Sequence, residues 1–150
     1  MSNRKLRLIS HRGNLIGPNR EKENHPDYIV NSLASGFDVE IDVWFENNQF
    51  VLGHDKPQFV VDKEFLLNPF FWCHAKNIDA LEKMLDLGAH CFWHQEDSVT
   101  LTSQGHVWTY PNVYLTPRSV CVLTNDSPLT AEQQNCYGVC SDWIQRYKVV

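Results

Sequence analysis

Gly36-Phe37-Asp38-Val39-Glu40-Ile41-Asp42-Val43 is the stretch on which the reading of this chain turns. Val39, Ile41 and Val43 alternate with Glu40 and Asp42, the period-two pattern of a strand with one apolar face. Both carboxylates therefore point the same way. Two like charges on one buried face repel and are costly to strip of water. A divalent cation between them removes both difficulties, and an oxygen-rich pair suits Mg²⁺ or Ca²⁺. The competing reading of the pair alone is a solvent-facing strand edge.

Outward from this strand the chain alternates short apolar runs with helical patterns. Upstream, Leu6 to Ser10 reads as a strand running into His11-Arg12-Gly13, and Asn14 to Asn24 as a loop. Pro26 to Ser35 reads as a helix with Pro in its first turn and Gly36 as its stop. Downstream, Asn47-Asn48 predicts a turn, and Phe50 to Leu52 returns as a strand ending at His54-Asp55. A short helix is expected from Asp62, and a strand from Phe70 to Ala75. Asn77 caps a helix whose Ile78, Leu81, Met84 and Leu85 share a face, with Gly88 ending it. Cys91 to Trp93 predicts a strand closing on His94. Val99 to Thr102 and Val107 to Tyr110 flank Ser103-Gln104-Gly105 as a hairpin. Val120 to Leu123 and Val139-Cys140 complete the strands, and Thr130 with Gln133 forms a capping box.

This order favours a parallel sheet with crossover helices. Polar clusters at successive strand ends suggest a TIM-type (β/α) barrel, whose chemistry sits at that rim. Such barrels need ~250 residues, and this chain has 150. The expected fold is therefore α/β, a compact, trimmed or incomplete barrel forming a single domain over residues 1–150.

Composition narrows the function. Hydrophobic residues are 43% and charged residues 21%, enough for a real core and unlike a disordered chain. A net charge of −5 argues against nucleic-acid binding through a basic surface. No apolar run has transmembrane length. The basic start, Met1-Ser2-Asn3-Arg4-Lys5, lacks a signal-peptide core. The five cysteines (73, 91, 121, 136 and 140) lack framework spacing and read as reduced thiols of a cytoplasmic protein.

His11-Arg12 follows the first strand. A histidine can shuttle a proton near neutral pH, and an arginine offers a planar fork to a phosphate. His54-Asp55 closes another strand, where the carboxylate could tune the ring. Either pair alone also fits an ordinary surface turn.

Taken in order, His11-Arg12-Gly13, Glu23-Asn24, the Gly36–Val43 strand and Gly53-His54-Asp55 resemble the glycerophosphodiester phosphodiesterase family, among the phosphatidylinositol phospholipase C-like phosphodiesterases. The resemblance covers roughly the first third of the chain. It implies a barrel, a divalent metal and phosphodiester cleavage. It also implies His11 and His54 as the acid/base pair, and Glu40 and Asp42 as metal ligands. The family's later Glu-x-Lys strand has its nearest counterpart in His74-Ala75-Lys76, so Lys76 fits the phosphate-side lysine and His74 stands where a carboxylate is usual. That exchange softens an all-oxygen site toward Mn²⁺ or Zn²⁺, or weakens metal binding. Gly138 to Asp142 is similar to the family's last strand.

The expected chemistry is metal-assisted cleavage of a small phosphodiester, with Arg12 and Lys76 on the phosphate. Glu23, Asp55, His94 and Trp108 are expected to line the pocket, and His25, His90 and His106 to lie at the surface or in loops. A phosphomonoesterase and a non-catalytic metal- or phosphate-binding module remain alternatives, and homo-oligomerisation stays open.

Overall fold

The computed structural model describes residues 5–149, so the first four residues of the basic N-terminal stretch lie outside it. The expected alternating barrel is not what forms. The chain makes one curled, mixed ten-stranded sheet, a half-barrel, with three short helices among the described residues.

Strand β1 (Arg7–His11) leads through the Asn14 to Asn24 loop into helix α1 (Pro26–Ala34). Strand β2 (Asp38–Glu46) follows, lying parallel to β1 with His11 opposite Glu40. A crossover helix should come next in a TIM barrel. Instead β2 runs on into an antiparallel meander, β3 (Gln49–Leu52) and β4 (Phe59–Val61). Asn47 and Asn48 both take positive φ, 52° and 62°, the combination a two-residue type I′ hairpin turn requires. The helix expected from Asp62 is a single 3₁₀ turn, Phe65–Leu67, whose first amide donates to Asp62 Oδ1.

Strand β5 (Phe71–Ala75) then pairs parallel to β2, placing Asp42 opposite His74. Helix α2 (Ile78–Leu87) is capped by the Asn77 side chain and stopped by left-handed Gly88. Its buried face differs from the expected one. Ala80 and Met84 are buried, while Ile78 and Leu85 are exposed. Strand β6 (Cys91–Trp93) pairs parallel to β5.

β7 (Val99–Leu101) and β8 (Val107–Thr109) form the expected hairpin. The link from β8 to β9 (Ser119–Val122) carries no helix. Pro111 and Pro117 break that stretch, since proline lacks the amide a helix interior needs. Helix α3 (Ala131–Asn135), with its Thr130–Gln133 capping box, leads to β10 (Gly138–Ser141). Strand β10 fits between β9 and β1, parallel to both.

The sheet curls around Ile9, Trp72, Phe92, Trp108, Val120 and Cys140, which pack together inside. Its outer face carries Val39, Ile41 and Val43, packed with Ile29 of α1 and with Ala80 and Met84 of α2. Each of the valine, isoleucine and methionine side chains contributes about 1.5–3 kcal/mol when fully buried. The β6 and β7 ends approach each other, and Ser103 N donates to Cys91 O at 2.8 Å. Among the described residues no ladder joins them, so the sheet stays open. All five cysteines are buried, unpaired thiols. No helix of the described residues is long and apolar enough to cross a membrane.

Candidate functional site

Parallel strands share a direction, so their C-terminal ends make one rim, the usual place for a ligand in such sheets. A cleft of about 500 Å³ opens there, lined by His11, Arg12, Glu40, His54, His74, Lys76, His94, Trp108, Tyr110 and Asp142 among others.

Asp42 is the hub beneath it, fully buried. Its Oδ2 accepts from Asn24 Nδ2 at 2.9 Å, and its backbone amide donates to Asn24 Oδ1, also at 2.9 Å. Arg12 Nε lies 3.1 Å from the same oxygen, and His54 Nδ1 3.5 Å. His74 Nδ1 lies 3.2 Å from the other oxygen, Oδ1. Burial alone would raise this carboxyl. The facing His54 and His74 rings and the Arg12 charge outweigh it and hold Asp42 well below the usual carboxylate range.

Glu40, 3% exposed, goes the other way. Burial and the neighbouring Asp42 charge push it well above the glutamate range, more than Arg12 and Lys76 pull it down. One carboxyl of the pair is thus held ionised and the other held toward its protonated form.

Arg12 takes a left-handed backbone conformation, φ 60°, a strained choice for a residue with a Cβ. It turns the side chain back over the sheet, where Nη1 donates to Glu23 Oε1 at 3.1 Å and Nη2 reaches His54 Nε2 at 3.2 Å. A guanidinium only donates, so His54 Nε2 accepts. Gly13 follows at φ 97°, and a Cβ there would sit 2.6 Å from the Tyr28 ring. Gly53, at φ 155°, carries the turn before His54, where a Cβ would fall 1.9 Å from Lys56 O.

His11 is held from behind. Its Nδ1 lies 2.7 Å from Asp142 Oδ1, and its Nε2 3.5 Å from Glu40 Oε2. The His11 and Asn14 hydrogen bonds and nearby charges overcome burial and lower the Asp142 carboxyl. An ionised carboxylate only accepts, so His11 Nδ1 carries the proton and Nε2 faces the cleft as the basic nitrogen.

The structure therefore brings His11, Arg12, Glu40, Asp42, His54, His74 and Lys76 to one end of the sheet. His94 and Trp108 line the same cleft. Glu23 stands behind Arg12, and Asp55, 86% exposed and outside the cleft lining, has Oδ1 3.6 Å from His54 Nε2. His90 corrects its expected surface position: it is 6% exposed, bonded to Thr102 Oγ1 at 2.8 Å. Burial and His106 lower its pKa to about 4. Asp142, Asn14 and Tyr110 are the residues sequence reasoning left out of the site. Asp142 had a visible signal, its place right after the last strand.

Three ligand atoms, from Glu40, Asp42 and His74, lie within 4.8 Å of one another. Glu40 Oε2 and Asp42 Oδ1 are buried without a hydrogen bond. Buried oxygens of this kind normally find a partner, so the donor set fits a divalent cation. Compared with protein-family models, curated proteins and solved structures, the chain shows no significant match.

Proposed function

We propose that this protein is a metal-dependent hydrolase of small phosphodiesters. The observation that carries the reading is the convergence of two histidines, two cationic side chains and the Glu40–Asp42–His74 cluster on one cleft. The motif resemblance of the first third of the chain points the same way.

Glu40, Asp42 and His74 would hold the cation, which supplies a Lewis acid for a phosphoryl oxygen and a lowered pKa for a bound nucleophile. Lys76 and Arg12 stabilise negative charge that grows on the phosphoryl oxygens. His11 Nε2 accepts the proton of the attacking hydroxyl or water, and Asp142 steadies the imidazolium that results. Once Arg12 turns to the phosphate, His54 Nε2 is free to take up a proton from solvent and to give it to the departing alcohol oxygen.

A non-catalytic phosphate-binding module has one observation in its favour: Arg12 is already engaged by Glu23, Asp42 and His54. Turnover separates the two. Bis(p-nitrophenyl) phosphate and p-nitrophenyl phosphate are assayed in parallel with Mg²⁺, Ca²⁺, Mn²⁺ and Zn²⁺. The diesterase reading expects hydrolysis of the diester well above that of the monoester, lost in His11→Ala. Binding of both esters without turnover establishes the module instead.

A further inference from the structure

His74 stands between two acceptors. Its Nε2 lies 2.9 Å from the carbonyl oxygen of His94. A carbonyl has no proton to give, so Nε2 carries the hydrogen and donates. In the neutral ring the lone pair then sits on Nδ1. That nitrogen faces Asp42 Oδ1 at 3.2 Å, a buried carboxyl oxygen that is itself without a hydrogen bond. Glu40 Oε2, the other buried oxygen of the cluster, is also without one. Two lone pairs cannot face each other at this distance without a proton or a metal cation between them.

The ring cannot turn aside easily. Phe92 stacks against it, with centroids 5.1 Å apart and planes 6° from parallel. The carbonyl that fixes it is held too. The His94 ring stacks on Tyr110 at 4.2 Å and its Nε2 bonds to Asp97 O. A carbonyl behind an imidazole is the usual way a protein aims a histidine ligand at a metal.

We infer that the cluster is built for a first-row transition-metal dication of the Mn²⁺, Co²⁺ or Zn²⁺ kind, ligated by His74 Nδ1, in preference to Mg²⁺ or Ca²⁺. This rests on the metal site of the proposed function and names its occupant. Mg²⁺ and Ca²⁺ are hard ions that take oxygen ligands and gain little by exchanging a water for a neutral nitrogen. Imidazole suits the transition ions, and two carboxylates beside it supply the charge.

The test is calorimetric titration of chelator-stripped protein with Co²⁺, Zn²⁺, Mn²⁺, Mg²⁺ and Ca²⁺, with the visible spectrum of the Co²⁺ form. Wild type should bind Co²⁺ and Zn²⁺ at least ~100-fold more tightly than Mg²⁺. His74→Glu should shrink that gap, and His74→Gln should change the Co²⁺ spectrum, with circular dichroism confirming that both variants fold. Equal affinity for Mg²⁺ and Co²⁺ overturns the inference, as does an unchanged order in both variants. Either result leaves the Glu40–Asp42 site standing, because loss of all ions in Asp42→Asn tests that site separately. No ion bound by wild type overturns both. The predicted order without turnover of any diester keeps this inference and sinks the catalytic reading.

Discussion

His11 Nδ1 lies 2.7 Å from Asp142 Oδ1 although 131 positions separate the two residues in the chain. The parallel pairing of β1 with β10 makes the contact, since it sets Ser10 beside Ser141. The next residue of each strand then reaches the same rim.

Asp142→Asn should remove the charge that orients and steadies His11 while keeping nearly the same shape. Turnover of bis(p-nitrophenyl) phosphate should fall by ~10²–10⁴-fold, the usual worth of a positioned acid or base. Steady-state rates with unchanged circular dichroism check it. A rate within twofold of wild type would remove Asp142 from the mechanism.

Glu40 and Asp42 should respond oppositely to neutralisation. Glu40 has a folded pKa above its unfolded one, so its favourable contribution holds below the unfolded pKa and is lost as pH rises. In chelator, Glu40→Gln should therefore match or exceed wild-type stability, with the gain growing above the glutamate range. Asp42 has a lowered folded pKa, so its contribution is full at neutral pH and is lost only in acid. Asp42→Asn should cost about 3–5 kcal/mol at pH 7, because Arg12 loses a buried counter-charge. Denaturant unfolding of both variants against pH decides the matter.

His90 gives a second pH effect away from the cleft. Its pKa is lowered from 6.5 to about 4. The unfolded chain therefore binds a proton that the folded protein refuses, and stability rises with pH between those values. The full swing is about 3 kcal/mol. In His90→Gln, melting temperature should climb less steeply from pH 4 to 6.5. A parallel slope in both proteins would show that His90 is protonated when folded.

Trp108 is 2% exposed and stacks on Phe92 with centroids 4.7 Å apart. It also lies 5.8 Å from the Trp72 ring. It is a wall of the cleft and part of the inner core at once. Trp108→Ala should cost about 3–5 kcal/mol in urea unfolding. A loss under 1 kcal/mol would mean the inner face does not depend on it.

Much of the strand pattern was legible because each apolar run ends at a glycine, an asparagine or a polar cluster. Phe59-Val60-Val61 was not, being three residues without alternation that become a strand only by pairing with β3. The Asn47-Asn48 hairpin was readable, but the helix expected from Asp62, the one crossover available between β2 and β5, forms only the 3₁₀ turn Phe65–Leu67. The buried face of α2 was misread because Leu85 and Ile78 are as apolar as Met84, and only tertiary contact decides which side is covered. The site residues on β1, β2 and β5 were readable since strand ends fix their direction. Asp142 was visible at the end of the last strand, but its pairing with His11 was not, since nothing local says that the last strand lies beside the first.

That adjacency constrains how the protein is made. Ribosomal synthesis delivers β1 first, and its neighbour β10 only after every other strand of the sheet has emerged. Until then one edge of β1 is bare, with its amides and carbonyls free to recruit a wrong strand. His11 meanwhile lacks the carboxylate that aims it, so a nascent or truncated chain ending before Gly138 carries most of the cleft but not its orienting anion. The finished geometry of the cleft would then arrive late and all at once, with the insertion of a single four-residue strand.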